Sequence, residues 1–263
     1  MPERYIVSKS RDEIYYEHAK RYSFAGAFIG GKEVLDVACG SGYGSYYLAK
    51  NGAQHVTGID ISEEMIRYCR RRYRRPNLAF QVMDAADLKF PDNSFDAVIS
   101  FETIEHIYRP ELFLSELKRV LKPEGMLVIS TPNKAVYGLL PEDAHEFHLR
   151  EFYLDEFKEL LGRFFNIQKL YGEKRSKYYE EKMSGYKRRM EEAPKRNILL
   201  RSNPLKLKNL IPNKARYYLS DQIIKLSGKV IRMSLPQPSV SSLEDLTISE
   251  EGIEVSKFFI AVC

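Results

Sequence analysis

The stretch Val34-Leu-Asp-Val-Ala-Cys-Gly-Ser-Gly-Tyr-Gly44 decides the fold. Its apolar start, Val34–Val37, reads as a short strand. The glycines at 40, 42 and 44 read as a loop, and Ser45–Lys50 as the helix that follows. Missing side chains let a ligand approach the backbone closely. In a doubly wound sheet, ligands sit at such strand–loop–helix corners. The next apolar run, His55–Ile59, leads into Asp60, about 20 positions past the glycine loop, where an acid accepts hydrogen bonds from two ribose hydroxyls.

The same alternation continues outward. Glu63–Arg74 reads as a helix capped by Ser62, and Leu78–Met83 as a third strand. Phe95–Phe101 is a fourth strand, with the helix Glu111–Leu121 after it. Leu127–Ser130 is a fifth, introduced by the turn Lys122–Gly125. Leu154–Leu161 reads as a helix, Phe164–Leu170 as a strand and Lys257–Cys263 as a terminal strand; residues 12–29 read as one or two helices. Continuous apolar runs, rather than alternating ones, mark strands buried on both faces. The expected architecture is α/β: a Rossmann-like, doubly wound sheet of seven strands, mostly parallel, with an antiparallel terminal strand and a helical insertion. Its divisions are a helical lid over 1–33, a cofactor-binding core over 34–173, a basic insertion over 174–250 and a returning strand over 251–263.

At 263 residues and 44% hydrophobic, the chain can bury a large core, which excludes disordered and collagen-like classes. No apolar window is long enough for a transmembrane helix, and residues 1–18 lack the apolar stretch of a secretory signal. Three cysteines (39, 69 and 263) without metal-type spacing point to a reducing cytoplasm. The net charge of +5 is a sum of opposites. Lys174–Met233 holds 17 Lys or Arg against 5 Asp or Glu, or +12, leaving −7 for the rest. The segment 198–233 mixes Lys and Arg with Leu, Ile and Tyr. This suits a solvated helical cap, peripheral contact with an anionic membrane, or an anionic acceptor such as a nucleotide sugar or lipid-linked saccharide. Nucleic acid is not expected, because no stacking platform or RNA-binding module is present.

Two cofactors compete for the glycine loop. A nicotinamide dinucleotide calls for G-x-G-x-x-G facing a pyrophosphate. Here the spacing is G-x-G-x-G, and Asp36 precedes it inside the strand. An acid there repels a pyrophosphate and favours a cation, such as the sulfonium and amino group of S-adenosylmethionine. Together, VLDVACGSGYG, GIDIS, MDAADLKF, SFDAVISFETIEHI and LKPEGMLVISTPN resemble the class I S-adenosylmethionine-dependent methyltransferases over residues 12–172 and the final strand. That resemblance implies an enzyme in which Asp36, Gly40 and Gly42 line the methionine portion of the cofactor. Asp60 takes the ribose with Ile61 beside the adenine, Asp84 accepts from the adenine amino group with Ala85 nearby, and Phe101 and Glu102 face the transferred methyl. Tyr22 or Arg21, in the lid segment EHAKRYSFA, holds the cofactor carboxylate.

The acceptor half is less constrained. A hydroxyl acceptor must lose a proton, and histidine suits that task. His145-Glu-Phe-His148 follows the fifth strand, in a stretch resembling glycan-associated methyltransferases. His148 is the expected base and His145 the second candidate, against the alternative that both brace a loop. Glu102-x-x-Glu105-His106 resembles a pattern of ubiquinone-type O-methyltransferases that holds a divalent metal; the alternative is an acid-rich helix start. The expected reaction is O-methylation of a sugar hydroxyl. Alternatives are O- or C-methylation of a quinone-type or other lipophilic molecule, and a non-catalytic module that binds the cofactor.

Overall fold

The computed structural model describes residues 13–136, 148–175 and 246–263. Helix α1 (Glu13–Ala25) runs into a 3-10 turn at Gly26–Phe28. There follow β1 (Glu33–Val37), α2 (Tyr43–Lys50), β2 (His55–Asp60), α3 (Glu63–Arg72), β3 (Leu78–Val82) and β4 (Phe95–Ser100). Next come α4 (Pro110–Val120), β5 (Leu121–Pro132), α5 (Leu154–Gly162), β6 (Lys169–Arg175), β7 (Leu246–Ser249) and β8 (Phe258–Val262). The sheet order is β3-β2-β1-β4-β5-β8-β6-β7. The first five strands are mutually parallel. The ladders joining β5 to β8, β8 to β6 and β6 to β7 are antiparallel. This is the α/β architecture read from the sequence, with one strand more among the described residues than the seven expected.

The extra strand is β7, which pairs Leu246–Ser249 with Gly172–Arg175 inside the range assigned to the insertion. A second difference concerns β6. The apolar run Phe164–Leu170 reads as a strand, but only Lys169 and Leu170 belong to one. Phe165 is buried in the core as coil, so its apolarity reflects packing rather than strand pairing. The turn Lys122–Gly125 lies within β5 as a bulge, because the β4 ladder jumps from Phe95↔Leu121 to Ala97↔Met126. Bulges tolerate a proline such as Pro123.

Helix ends follow local chemistry. Ser62 accepts the Met65 N–H at 3.3 Å, acids open α3 and arginines close it. Helix α4 starts on Pro110 and buries Phe113, Leu114, Leu117 and Val120, one stripe of a 3.6-residue period.

The alternation of β1 splits the core. Leu35 and Val37 pack with Phe113, Leu117 and Phe157 from α4 and α5. Val34 packs on the opposite face with Tyr22, Leu48 and Ile260. Asp36 has the same parity as Val34, so it points toward α1 and α2. Arg21 of α1 is fully buried, and its NH1 donates to Glu173 Oε2 of β6 at 2.6 Å. Its guanidinium also lies 4.4 Å from the centre of the Phe258 ring on β8. Lys257 Nζ donates to Glu17 Oε1 at 3.0 Å, a second bond between α1 and the C-terminal strands.

Removing one member of a buried ion pair strands the other. Arg21→Ala is therefore expected to lower stability by about 3–5 kcal/mol. Arg21→Ala combined with Glu173→Ala should recover part of that loss. Urea unfolding of the three variants measures both effects; additive losses would show that the pair is not coupled.

Candidate cofactor and acceptor site

The site lies along the C-terminal ends of β1 to β5. Two non-glycine residues there are left-handed, Ala38 at φ 58° and Glu102 at φ 51°. Left-handed backbone is disfavoured by a Cβ and persists where the surroundings enforce it. The three loop glycines divide by task. A Cβ on Gly40 would meet nothing within 4 Å, so its backbone faces open space. A Cβ on Gly42 would fall 2.6 Å from Cys69 Sγ and 2.9 Å from Phe80. One on Gly44 would sit 2.0 Å from the Tyr22 ring. The bare backbones of Gly42 and Gly44 thus serve packing against α3, β3 and α1. Gly42, expected beside the cofactor, has that structural reason to be glycine.

Asp60 clamps this loop. Its Oδ2 accepts the Gly40 N–H at 3.0 Å and its Oδ1 accepts the Ser62 N–H at 2.8 Å. Each carboxylate oxygen has further acceptor capacity, which suits ribose hydroxyls. Beyond it, Ile61 is 56% exposed and Asp84 is exposed, with Ala85 half-buried between β3 and the next turn. Asp84 Oδ1 accepts the Ala86 N–H at 2.9 Å, leaving Oδ2 to solvent or ligand. An apolar surface beside a carboxylate at a strand end suits adenine.

Asp36 is buried completely and faces α1 and α2 as its parity requires. The Tyr22 hydroxyl donates to Oδ1 at 3.0 Å, and the Ser45 hydroxyl donates to Oδ2 at 2.6 Å. Burial raises the Asp36 carboxyl to about 7; the two hydroxyl bonds oppose that rise and nearby Asp60 adds to it. Tyr22 therefore has its hydroxyl committed to Asp36 and its ring against Gly44 and Phe101, 5.1 Å from the latter. Arg21, the other residue expected at the cofactor carboxylate, differs in having donors to spare. Its Nε and NH2 are buried without a hydrogen-bond partner, the kind of donors a carboxylate fits.

At the ends of β4 and β5, Phe101 is buried. Glu102 accepts the Ser130 hydroxyl at 2.7 Å, and burial raises its carboxyl. Glu105 is fully buried; the Thr131 hydroxyl donates to its Oε2 at 3.2 Å. Its backbone carbonyl accepts the N–H groups of Leu149 and Arg150, which brings His148 against His106 with ring centres 5.0 Å apart. His148 Nδ1 lies 3.1 Å from Glu151 Oε1. His145 and the segment 198–233 lie outside the described residues. Among the described residues, no helix is long and apolar enough to cross a membrane.

Sequence reasoning missed Ser45, Ser130, Thr131 and Glu151. Glu151 follows His148 by three positions, and that spacing was a usable signal. Ser45 offered none, since it reads simply as the start of a helix.

Residues 35–129 match the methyltransferase domain family. The chain is 34% identical over 161 residues to a Mycolicibacterium smegmatis protein named "Probable S-adenosylmethionine-dependent methyltransferase", covering 60% of this chain and 62% of that one. It is 46% identical over 103 residues to the fatty-acid O-methyltransferase of the same organism, covering 38% and 37%. It is 41% identical over 98 residues to a phthiotriol/phenolphthiotriol dimycocerosates methyltransferase of Mycobacterium tuberculosis, covering 37% and 36%. The chain thus spans between about a third and three-fifths of the length of these relatives. A Thermotoga maritima S-adenosylmethionine-dependent methyltransferase shares the fold, with a TM-score of 0.57 over 94% of this chain and 90% of that one at 15% identity. The described residues thus have the Rossmann-like α/β fold of that methyltransferase, and their central part, 35–129, is similar to the methyltransferase domain family.

Asp36 makes stability depend on pH. Its folded value lies above that of an ordinary carboxyl, so the native state keeps a proton that the unfolded chain releases near pH 4. The contribution is fully present below about pH 4, falls by up to about 4 kcal/mol as pH rises toward 7, and levels off above. Glu173 is raised in the same direction, so the effect is read as a difference. Asp36→Asn should flatten the slope of urea midpoint against pH relative to the parent; parallel slopes would refute the neutral Asp36.

Proposed function

We propose that the chain transfers the methyl group of S-adenosylmethionine to an oxygen of a lipophilic acceptor. The observation that carries this reading is an apolar rim beside the histidine pair. Tyr108 is 74% exposed, Leu149 44% and Tyr153 49%. Tyr108 follows His106 by two positions, Leu149 adjoins His148, and Tyr153 caps α5 just beyond. Large apolar side chains left in water mark a surface that takes an apolar partner. The names of two relatives, a fatty-acid and a phthiotriol-lipid methyltransferase, support the same acceptor class. The sugar hydroxyl placed first by the sequence lacks that second support, since neither of these two relatives is named for a saccharide.

The residues divide the work. Asp60, Ile61, Asp84 and Ala85 hold the adenosine, Arg21 the carboxylate, and Gly40 gives the cofactor its approach to the loop. The cofactor supplies an activated methyl on a sulfonium, so alignment provides much of the acceleration. Phe101 and Tyr22 wall the transfer path against water. A carboxylate acceptor has no proton to lose at neutral pH. A hydroxyl acceptor does, and Glu105, His106 and His148 are the groups assigned to its removal.

Methyl transfer from labelled S-adenosylmethionine to a panel of fatty acids, hydroxylated lipids and sugar nucleotides tests the proposal. Label should enter the lipid extract; label confined to the sugar nucleotides would overturn it. Asp60→Ala should weaken cofactor binding at least ~10-fold by calorimetry, equivalent to about 1.4 kcal/mol. Equal affinity would remove the ribose assignment. His148→Ala should lower turnover of a hydroxylated lipid by about 10²–10⁴-fold while leaving cofactor affinity within about twofold. An equal loss of both would make His148 structural.

A further inference from the structure

We propose that the cleft beside the turn after α3 is a second binding site, which takes a terminal phosphate group carried on a small apolar body. Six arginines and no acid lie between Met65 and Met83. Five of them fall within Arg70–Arg75, a run broken only by Tyr73. Arg70, Arg71, Arg72 and Arg74 are exposed, and Arg75 is half-buried. Among the described residues, none of these five pairs with a carboxylate, whereas Arg67, one turn earlier, bonds Glu63 at 3.0 Å.

Structural duties account for only part of this run. Arginines in the last turn of a helix offset its dipole, which covers Arg70, Arg71 and Arg72. Arg70 also shields an edge strand: its Nε and NH2 donate to the Phe80 carbonyl of β3 at 2.9 and 2.7 Å. Arg74 and Arg75 come after Tyr73, the extended residue that closes α3, so neither the helix nor its dipole calls for them. The turn that carries them is tied down. Arg75 Nε donates to Asn77 Oδ1 at 3.3 Å, and Asn77 Nδ2 donates to the Ala49 and Ala53 carbonyls at 2.9 and 3.1 Å. Like charges on a fixed turn repel one another, and an anion relieves that repulsion.

Arg70, Arg74 and Arg75 line an open cleft of about 590 Å³ whose other walls are largely apolar, among them Tyr73, Leu78 and Phe80. The bonds above leave NH1 of Arg70 and both terminal nitrogens of Arg75 as donors, and Arg74 makes no hydrogen bond among the described residues. Guanidinium forks fit phosphate oxygens two at a time. A phosphate monoester carries about −1.5 to −2 charge at neutral pH, which matches three neighbouring cations better than a single negative charge does. A nucleic-acid backbone spreads its charge along a track, whereas these cations are confined to one turn and one cleft. The apolar walls suit carbon, so the phosphate is the end of an organic ester. Helix α3 has 10 residues and is about 15 Å long, and the cleft lies at the end away from Ser62 and Asp60. The site is therefore separate from the cofactor loop, and it does not rest on the proposed methyl transfer.

The test uses the full chain with saturating S-adenosylmethionine, which keeps anions from Arg21, and no acceptor. Phenyl phosphate and benzenesulfonate are titrated by calorimetry at one fixed ionic strength. One phenyl phosphate per chain is expected, with benzenesulfonate at least ~10-fold weaker. Arg74→Ala, alone and with Arg75→Ala, should weaken phenyl phosphate at least ~10-fold, while Arg67→Ala, an equal change in charge, should stay within about twofold of the parent. Cosedimentation with phosphatidic acid vesicles separates the sources. Vesicle binding that Arg74→Ala weakens would place the phosphate on a lipid headgroup; phenyl phosphate binding without it would place the phosphate on a soluble ester. Circular dichroism checks folding, and Arg74→Ala decides if the double variant does not fold, since Arg74 has no hydrogen bond to lose. No binding, equal affinity for the two probes, or equal losses in Arg67→Ala and Arg74→Ala would overturn the site. So would displacement of phenyl phosphate by an unphosphorylated oligonucleotide, which would make the turn a nucleic-acid contact. Failure of lipid methylation would leave these readings intact.

Discussion

The carboxyl group of Asp36 sits in the interior with two hydroxyls and, among the described residues, no cation paired to it, and the half of the sheet that carries the glycine loop is arranged around it. Tyr22 from α1, Asp36 from β1 and Ser45 from α2 meet at one point, so a lid helix, a central strand and the helix after the glycine loop share a single polar contact. The Tyr22 ring can reach it only because Gly44 lacks a side chain. Burial favours the neutral acid, and a cation brought close favours the ionised one. The group is thus a carboxyl whose charge answers to what lies beside it, and a sulfonium donor is a ligand that would shift it.

The acceptor half is built differently. It relies on backbone bonds from Leu149 and Arg150 to the Glu105 carbonyl and on side chains drawn from separate turns. Glu105, His106 and His148 cluster under an apolar rim, so polar chemistry lies next to a surface suited to alkyl chains and rings.

Much of this was legible in the chain. Val34–Gly44, the acid at Asp60 and the repeated alternation led to a doubly wound, mostly parallel sheet because buried parallel strands must be apolar on both faces. Ser62 as a cap was readable from local chemistry alone. Phe164–Leu170 misled because a coil packed into a core is as apolar as a strand. β7 went unread because Leu246–Ser249 is short and finds its partner, Gly172–Arg175, some seventy residues away in sequence. At the site, glycines written alike proved unlike: spacing shows where a side chain is missing, but only packing shows whether the gap admits a ligand, a cysteine or a tyrosine ring.

The buried pairing of α1 with the C-terminal strands has a consequence for how the molecule comes into being. Arg21 and Glu173 are 152 positions apart, and Glu17 and Lys257 are 240 apart. Contacts so distant along the chain close large loops and form late. A ribosome delivers α1 well before β6 and β8, so the helix waits, its arginine hydrated, while the parallel strands assemble. The arginine can be buried only once β6 and β8 exist. The packing of α1 over the glycine loop is therefore completed only after β6 and β8 have been made, and a chain cut before β6 retains its glycine loop without the partner that holds Arg21.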